Sequence, residues 1–182
     1  MFLGIDQSLT GTGLCLLSPQ GEIVTSVTIT PDALRDGERL AFIKRGVVSL
    51  LSGVEHAAME GYSYNSTGHV FELGEIGGVI KVLLVESCTP YVVVPPVLVK
   101  KFATGTTSAD KRKMLEAAVR LGHDFGNRDD EADAFFLAHI ARAYAKNTAQ
   151  RRYEMEVLHT LRSPPKSKKP KRRLRRLIPN AI

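Results

Sequence analysis

The chain has 182 residues, a length that suits one domain and leaves no room for a second catalytic lobe. Its hydrophobic share of 43% is typical of a globular protein, and no apolar run approaches the roughly 20 residues of a membrane-spanning helix, so we expect a soluble, cytoplasmic protein. The net charge of +6 is unevenly divided, because residues 151–182 hold 11 Lys and Arg against two acids, whereas residues 1–150 hold 14 basic and 17 acidic residues. A mildly acidic body with a basic tail indicates a polyanionic partner.

The first thirty residues predict three antiparallel strands. Phe2–Asp6 is a short apolar run that ends in an acid, a glycine-bearing turn follows it, and Leu14–Leu17 is a second apolar run, which is the pattern of a hairpin. In residues 23–29 the alternate positions are mostly apolar on one face and mostly polar on the other. This alternation predicts a third strand with one buried face.

The rest of the chain predicts helices that alternate with strands. Apolar residues three or four positions apart predict helices, and short runs of β-formers stopped by glycine or proline predict strands. The expected elements are a helix between Pro31 and Gly53, a strand over Val54–Glu60, a helix over about Val70–Glu86, a strand over Tyr91–Val94, a helix capped by Ser108 that runs to about Leu121, and a last long helix over Asp129–Lys146.

Beyond Asn147 the sequence does not predict regular structure, and the segment PPKSKKPKRRLRRLIP is too basic and proline-rich to pack. We therefore divide the chain into an α/β domain, residues 1–148, and a basic, flexible tail, residues 149–182. The element order predicts a five-stranded mixed sheet, with three antiparallel strands followed by two parallel ones, flanked by helices on both faces. This is the element order of the RNase H-like fold, although several other α/β domains share it.

Acidic residues stand where strands end and where the last helix begins. Asp6 ends the first strand and Glu60 the fourth, while Asp130 and Asp133 lie three apart on one face of the last helix. Strand ends meet on one rim of a sheet, so all four carboxylates can surround one spot. Such a cluster is electrostatically costly unless cations occupy it, and hard oxygen ligands select Mg²⁺ or Mn²⁺. The pattern predicts a site for one or two divalent ions; for any one of these acids alone, a turn or cap role is the alternative.

Four segments of the sequence also match the motifs of a known family, in order and at plausible spacing. They are FLGIDQSLTGTG, AMEGY with ELGEIGGVIK after it, VVPPVLVKKFATGTTSADKRKML, and DEADAFFLAHI. On these residues, which span about Phe2 to Tyr144, the chain resembles the RuvC family of Holliday-junction resolvases of phage and bacterial type, within the RNase H-like superfamily. Any one motif is a weak signal, but the ordered set is specific.

The resemblance implies a metal-dependent endonuclease that resolves four-way junctions and other branched DNA by paired nicking, in the cytoplasm of a bacterial or phage-infected cell. It implies that Asp6, Glu60, Asp130 and Asp133 bind two Mg²⁺ ions, for which Mn²⁺ can substitute. Hydrolysis of this two-metal kind leaves 5′-phosphate and 3′-hydroxyl ends.

Other matched residues concern contact with DNA. The resemblance implies that Lys100 and Lys111 lie near the scissile phosphate, where Lys111 is also expected to act in catalysis by neutralising developing charge. In the loop after Glu60 the family presents an aromatic side chain that stacks at the junction centre, and Tyr62 and Tyr64 are the candidates here. Ordinary surface lysines and tyrosines packed on the sheet edge are the alternatives.

The helix that follows carries glycines on one stripe, at Gly74, Gly77 and Gly78. The resemblance implies a homodimer through this Gly74–Gly78 segment, because two paired sites match the two strands that must be cut. Close packing on the protein's own sheet is the alternative. Gln7 stands where the family usually has a proline, and this departure is expected to have little effect. Asp129 and Glu131 are interpreted as acids that are favoured near a positive helix N-terminus.

The basic tail is expected to bind DNA phosphates with little sequence preference and with a steep salt dependence. The residues that carry this expectation are Lys166, Lys168, Lys169, Lys171, Arg172, Arg173, Arg175 and Arg176.

Three rival functions remain at this stage. An actin-like or sugar-kinase-type ATPase also places a glycine-bearing hairpin after an acid-ending strand, but it needs a second lobe that this length excludes. A non-cleaving protein that binds DNA junctions needs only the tail and the dimer. A broader flap or branch debranching nuclease has the same acids.

Overall fold

The computed structural model describes residues 1–62 and 69–163. Within these ranges the chain forms five strands and six helices. The strands are β1 (Phe2–Asp6), β2 (Thr12–Leu17), β3 (Ile23–Ile29), β4 (His56–Glu60) and β5 (Tyr91–Val94), and the helices are α1 (Asp36–Val48), α2 (Val70–Glu86), α3 (Pro96–Thr104), α4 (Lys111–Val119), α5 (Asp129–Lys146) and α6 (Arg152–Arg162).

The strands form one mixed sheet in the order β3-β2-β1-β4-β5. β1 pairs antiparallel with β2, and β2 with β3, whereas β1 pairs parallel with β4, and β4 with β5. The predicted fold class, with three antiparallel strands followed by two parallel ones and helices on both faces, is confirmed. All residues of β1 and β2 are buried, so the first hairpin lies at the centre of the domain.

Helix α5 lies directly on the sheet because two glycines admit its backbone. A Cβ atom at Gly4 of β1 would overlap the carbonyl oxygen of Ala134, and a Cβ at Gly13 of β2 would overlap the carbonyl oxygen of Asp130. No other residue type leaves this space, so the glycines set the distance between α5 and the centre of the sheet. The first turns of α5 are thereby held beside the end of β1.

The two faces of the sheet carry separate cores. On one face, alternate residues such as Phe2, Cys15 and Ala58 pack against α5 together with α3, α4 and α6. On the other face, residues such as Leu3 and Leu14 pack against α1 and α2. This is the alternation expected of strands buried on both sides.

The expectation of an irregular tail from residue 149 is wrong for its first part. Helix α6 forms there and buries Val157 and Leu158 in the core on the α5 side. Arg162 fixes the end of α6 by donating from Nη2 to the carbonyl oxygen of Tyr144 at 2.8 Å. The apolar stripe of this helix is short and lies among charged residues, and for that reason the sequence pattern was too weak to predict it. Residues 164–182 lie outside the described residues.

Two other elements differ from expectation in detail. Helix α3 was not predicted, because Pro95 and Pro96 were interpreted only as a stop; Pro96 stands at the first helical position, where a missing N–H costs nothing. Asp110, rather than Ser108, caps α4 by accepting from the backbone N–H of Lys113 at 2.9 Å. Among the described residues, no helix has the length and apolar character that crossing a membrane requires.

Candidate active site

Two carboxylates meet at the ends of the parallel central strands. Strand β1 runs beside β4 with Ile5 opposite Met59, so Asp6 and Glu60 are the next residues on both strands and leave the sheet at the same rim. Asp6 is only 8% exposed. Its carboxyl group lies within hydrogen-bond reach of the carboxyl group of Glu60.

Helix α5 brings the acidic pair to this rim. Its first turn rests on Gly13, and the carboxylate of Asp130 lies against Gly11 in the turn between β1 and β2. Asp133 follows one turn later and faces Asp6 and Glu60 closely enough to raise the pKa values of both. The structure therefore brings together the four acids that the sequence analysis selected from three separate segments.

Burial and mutual repulsion disfavour the charged forms of these acids. The pKa of Asp6 is raised well above its ordinary value, first by burial and then by Glu60, Asp133 and Asp130. Burial, followed by the charge of Asp133, raises the pKa of Glu60 to about 7. Burial, followed by the neighbouring Asp129 and Asp130, raises the pKa of Asp133 to about 6, and the pKa of Asp130 is raised for the same kind of reason. A cation among them would relieve this repulsion.

The carboxylates are neighbours, but they do not form a finished coordination shell. Among the residues that the structure describes, no group of three or more His, Cys, Asp or Glu side chains is arranged so that it could hold a metal ion. The carboxylate of Asp130 lies against Gly11, whereas that of Asp6 lies beside Glu60. The chemistry of the donors still fits a hard divalent cation, since all four are carboxylates in a partly desolvated rim. Rotation of these side chains is the adjustment that a bound ion would require.

The two lysines that were expected near the scissile phosphate lie beside the acids. Lys100 on α3 is close enough to Glu60 and Asp133 to lower the pKa values of both. Lys111, the first residue of α4, forms an ion pair with Asp129 and is otherwise exposed. The hydrogen bond with Asp129 raises the pKa of Lys111. Asp129, interpreted from sequence only as a helix-start acid, is therefore the partner of a predicted site residue.

Tyr62 is attached to helix α2. Its hydroxyl donates to the carbonyl oxygen of Gly74 at 3.3 Å, and the ammonium of Lys81 lies 4.8 Å from the centre of its ring. Beside it, the buried Gln7 donates from Nε2 to the carbonyl oxygen of Glu60 at 3.0 Å and so ties the ends of β1 and β4 together. Tyr64, the other candidate for stacking, lies outside the described residues, as do the basic residues of the tail.

The glycines of α2 differ in direction, so one fits close packing within the protein and two fit a contact with a second copy. Gly77 faces inward, where a Cβ would overlap the hydroxyl of Tyr62. Gly74 and Gly78 face outward, and no described atom lies within 4 Å of a Cβ built on either. The same outer side of α2 exposes Phe71 by 88% and Val82 by 55%. This outward-facing surface, which we call the α2 face, is both apolar and open.

Sequence reasoning missed the position of Glu131. It is buried, with 4% exposure, and accepts a hydrogen bond from the hydroxyl of Ser26 on β3. Its partner stands 105 positions away in the chain, so no local pattern could reveal the contact.

Comparison with known proteins places the chain in one group. A family described as crossover junction endodeoxyribonuclease RuvC matches residues 2–140. A protein of that name from Synechococcus sp. (strain WH7803) is 31% identical over 144 residues, which cover 75% of this chain and 94% of the relative. Another, from Azorhizobium caulinodans, is 27% identical over 155 residues, which cover 81% of this chain and 91% of the relative.

Two solved structures have the same fold. Thermus thermophilus RuvC superimposes with a TM-score of 0.65 at 23% identity, covering 81% of this chain and 97% of that one. T. thermophilus RuvC in complex with a Holliday junction substrate gives a TM-score of 0.67 at 21% identity, covering 80% of this chain and 94% of the other.

Proposed function

The chain belongs to the RuvC family of crossover junction endodeoxyribonucleases, and we propose that it resolves four-way DNA junctions. The proposed reaction is metal-dependent hydrolysis at the four acids beside the end of β1. The observation that carries the proposal is the meeting of Asp6, Glu60, Asp130 and Asp133, which come from three separate segments. Burial, followed by the other three acids, raises the pKa of Asp6. A structural role does not explain four partly buried acids at one place, because their repulsion weakens the fold.

The four acids would hold Mg²⁺ or Mn²⁺, two ions in our proposal. When bound, these ions supply an acidified water and neutralise charge on the leaving 3′ oxygen, so that the products carry 5′-phosphate and 3′-hydroxyl ends. Asp6 would be the innermost ligand, since it is the most buried of the four and stands on the central strand. Asp130 and Asp133 would contribute their carboxylates from the first turns of α5.

The lysines bind the DNA phosphates around the scissile bond. Lys100 already lies beside Glu60 and Asp133, where it partly offsets their charge. Lys111 is held by Asp129 and is otherwise exposed to solvent, so a phosphate group can replace the carboxylate as its partner. In that position the ammonium stabilises the negative charge that develops on the phosphate.

We further propose that the substrate is branched DNA and that the active form is a homodimer. One structural neighbour is a RuvC bound to a Holliday junction substrate, and this chain covers 94% of it. The open, apolar α2 face, with outward-facing Gly74 and Gly78, supports a contact between two copies. A two-fold dimer places two active sites for the two strands that must be cut.

The basic residues beyond Ser163 support additional contact with the junction arms. Deleting residues 163–182 is expected to weaken junction binding and to flatten the dependence of log Kd on log salt concentration, since each lost phosphate contact removes about 0.9 from the slope. An unchanged slope in a salt titration would remove this role.

Two observations favour a second candidate, a junction-binding protein that does not cleave. Among the described residues, no three of the acids are arranged to hold a metal ion, and Lys111 is engaged by Asp129. A broader nuclease that cuts flaps and other branches is the third candidate.

A single set of incubations separates these candidates. The protein is mixed with a mobile four-way junction, a flap or a linear duplex, each with Mg²⁺ or EDTA, and the products are resolved on a gel. We expect paired nicks in the four-way junction only with Mg²⁺, and a loss of at least about 1,000-fold in rate for Asp6→Asn, because one metal ligand is removed. Asp32→Asn is the matched control, since Asp32 lies in an exposed turn at positive φ, which Asn also tolerates.

Binding of the junction without cleavage would support the non-cleaving candidate. Faster cutting of the flap would support the broader nuclease.

A further inference from the structure

Glu131 is a buried acid that takes no part in the proposed reaction. Its Oε2 accepts from the hydroxyl of Ser26 at 2.7 Å and from Nη1 of Arg128 at 2.9 Å. Arg128 is held in turn by the carbonyl oxygen of Phe125, to which its Nε donates at 3.1 Å. A buried carboxylate is tolerated only when its oxygen atoms are paired in this way.

Helix α6 provides an internal comparison, because its start has the same Arg-x-x-Glu pattern. Arg151 and Glu154 occupy the positions in α6 that Arg128 and Glu131 occupy in α5. Oε2 of Glu154 accepts from the backbone N–H groups of residue 150 at 2.9 Å and of Arg151 at 3.1 Å, so this acid caps its own helix. At the start of α5 there is no side-chain cap. Glu131 does not cap its own helix and instead binds Ser26 on β3.

The contact of Glu131 with Ser26 completes the attachment of the first turn of α5. The backbone of this turn rests on Gly13 of β2, and the side chain of Glu131 is bound to the neighbouring strand β3. Asp130 precedes Glu131 directly, and Asp133 follows two positions later. The turn that Glu131 attaches to the sheet therefore also carries Asp130 and Asp133, which lie near Asp6.

We infer that Glu131 is a positioning residue: through Ser26 and Arg128 it fastens the first turn of α5 to β3 and so sets where Asp130 and Asp133 stand against Asp6. The inference rests on the proposed function, since it assigns a role within the same site. Metal binding needs carboxylate oxygens placed within a few tenths of an ångström, so loosening this turn weakens metal binding before it weakens DNA binding.

The test compares Glu131→Ala, Glu131→Gln and Ser26→Ala with the matched control Glu154→Ala. For each variant we would measure the Mn²⁺ dissociation constant without DNA, the Mg²⁺ concentration for half-maximal junction cleavage, the junction Kd in EDTA, and Tm. Glu131→Ala is expected to weaken Mn²⁺ binding and to raise the half-maximal Mg²⁺ concentration, each by about tenfold, with the junction Kd unchanged.

The other variants separate positioning from stability. Glu131→Gln restores most of the metal affinity, because the amide oxygen still accepts from Ser26, and Ser26→Ala gives an intermediate loss. Glu154→Ala lowers Tm but leaves the metal affinity at the wild-type value. If Glu131→Ala fails to fold, Ser26→Ala, which removes only one hydroxyl, carries the test.

Wild-type Mn²⁺ affinity in folded Glu131→Ala or Ser26→Ala would overturn the inference, and so would an equal loss of affinity in Glu154→Ala. If the wild-type protein binds Mn²⁺ but does not cut junctions, the proposed function fails, while the Mn²⁺ titration still decides the role of Glu131.

Discussion

The two faces of the central sheet are packed in different ways. On the α5 face the helix backbone touches the strands at Gly4 and Gly13, and Glu131 adds a buried hydrogen bond to β3. On the opposite face α1 and α2 cover the sheet through side chains, and the outer side of α2 leaves Phe71 and Val82 exposed. The α5 face holds the acids of the proposed active site, and the opposite face exposes an apolar surface to which we propose that the second copy binds.

The largest effect on stability is expected from filling the gap between α5 and the sheet. Gly4→Ala places a Cβ against the backbone of Ala134, so the helix must move, which costs about 3 kcal/mol in the free energy of unfolding. Gly78→Ala is the matched change on the other face, where a Cβ meets no described atom. There the helical preference of alanine stabilises by about 0.5–1 kcal/mol. Urea unfolding measures the change in the free energy of unfolding for each substitution. Equal changes would contradict the closer packing of the α5 face.

A second effect is expected from pH, and it concerns the acids beside α5. The folded protein raises the pKa of Glu60 from 4.5 to about 7 and that of Asp133 to about 6. Between pH 4.5 and 7 the folded state therefore holds a proton on Glu60 that the unfolded state has released, so the contribution of this acid to the free energy of unfolding falls as pH rises, by up to about 1.4 kcal/mol per pH unit. The buried His139, whose pKa is lowered to about 4, acts in the opposite sense below pH 6.5, so the difference between the wild type and Glu60→Gln isolates the acid.

Mg²⁺ is expected to restore the lost stability near pH 8, because it favours the charged carboxylates. Thermal unfolding from pH 5 to pH 8, with and without Mg²⁺, measures both effects. A pH dependence in Glu60→Gln as steep as in the wild type would show that Glu60 does not carry the effect.

The smallest effect on stability is expected from a charge on the α2 face. Val82→Glu lies on an exposed helical position and changes the free energy of unfolding of one copy by about 0.5 kcal/mol or less. It is expected to convert a dimer into a monomer at micromolar concentration, because a carboxylate is then buried between two copies. Val119→Glu, on the α5 side and 54% exposed, is the matched control that keeps the dimer. Sedimentation gives the mass, and a wild-type monomer would contradict the proposed interface.

The sequence was most informative where its pattern was local. The bounds of α2, β5 and α5 follow directly from apolar spacing and from the prolines and glycines at their ends. The shared rim of Asp6 and Glu60 follows from strand order, because parallel neighbours end on the same side of a sheet. These relations depend only on which elements form and in which order.

Features that depend on tertiary contact could not be predicted. Helix α6 is stabilised by packing of Val157 and Leu158 on α3 and α5, and its own sequence is dominated by charge. The partnership of Glu131 with Ser26 joins residues 105 positions apart. The directions of the four carboxylates depend on side-chain torsion angles, which the sequence pattern does not predict.

We propose that acids from three segments of the chain form one cation site at the end of β1. A titration of Mn²⁺ binding without DNA measures whether this site exists. Wild-type protein at pH 8 is predicted to bind Mn²⁺ saturably, Asp6→Asn to bind it at least about tenfold more weakly, and Asp32→Asn to bind it like the wild type. Equal binding by Asp6→Asn and the wild type, or no saturable binding by the wild type, would contradict the claim.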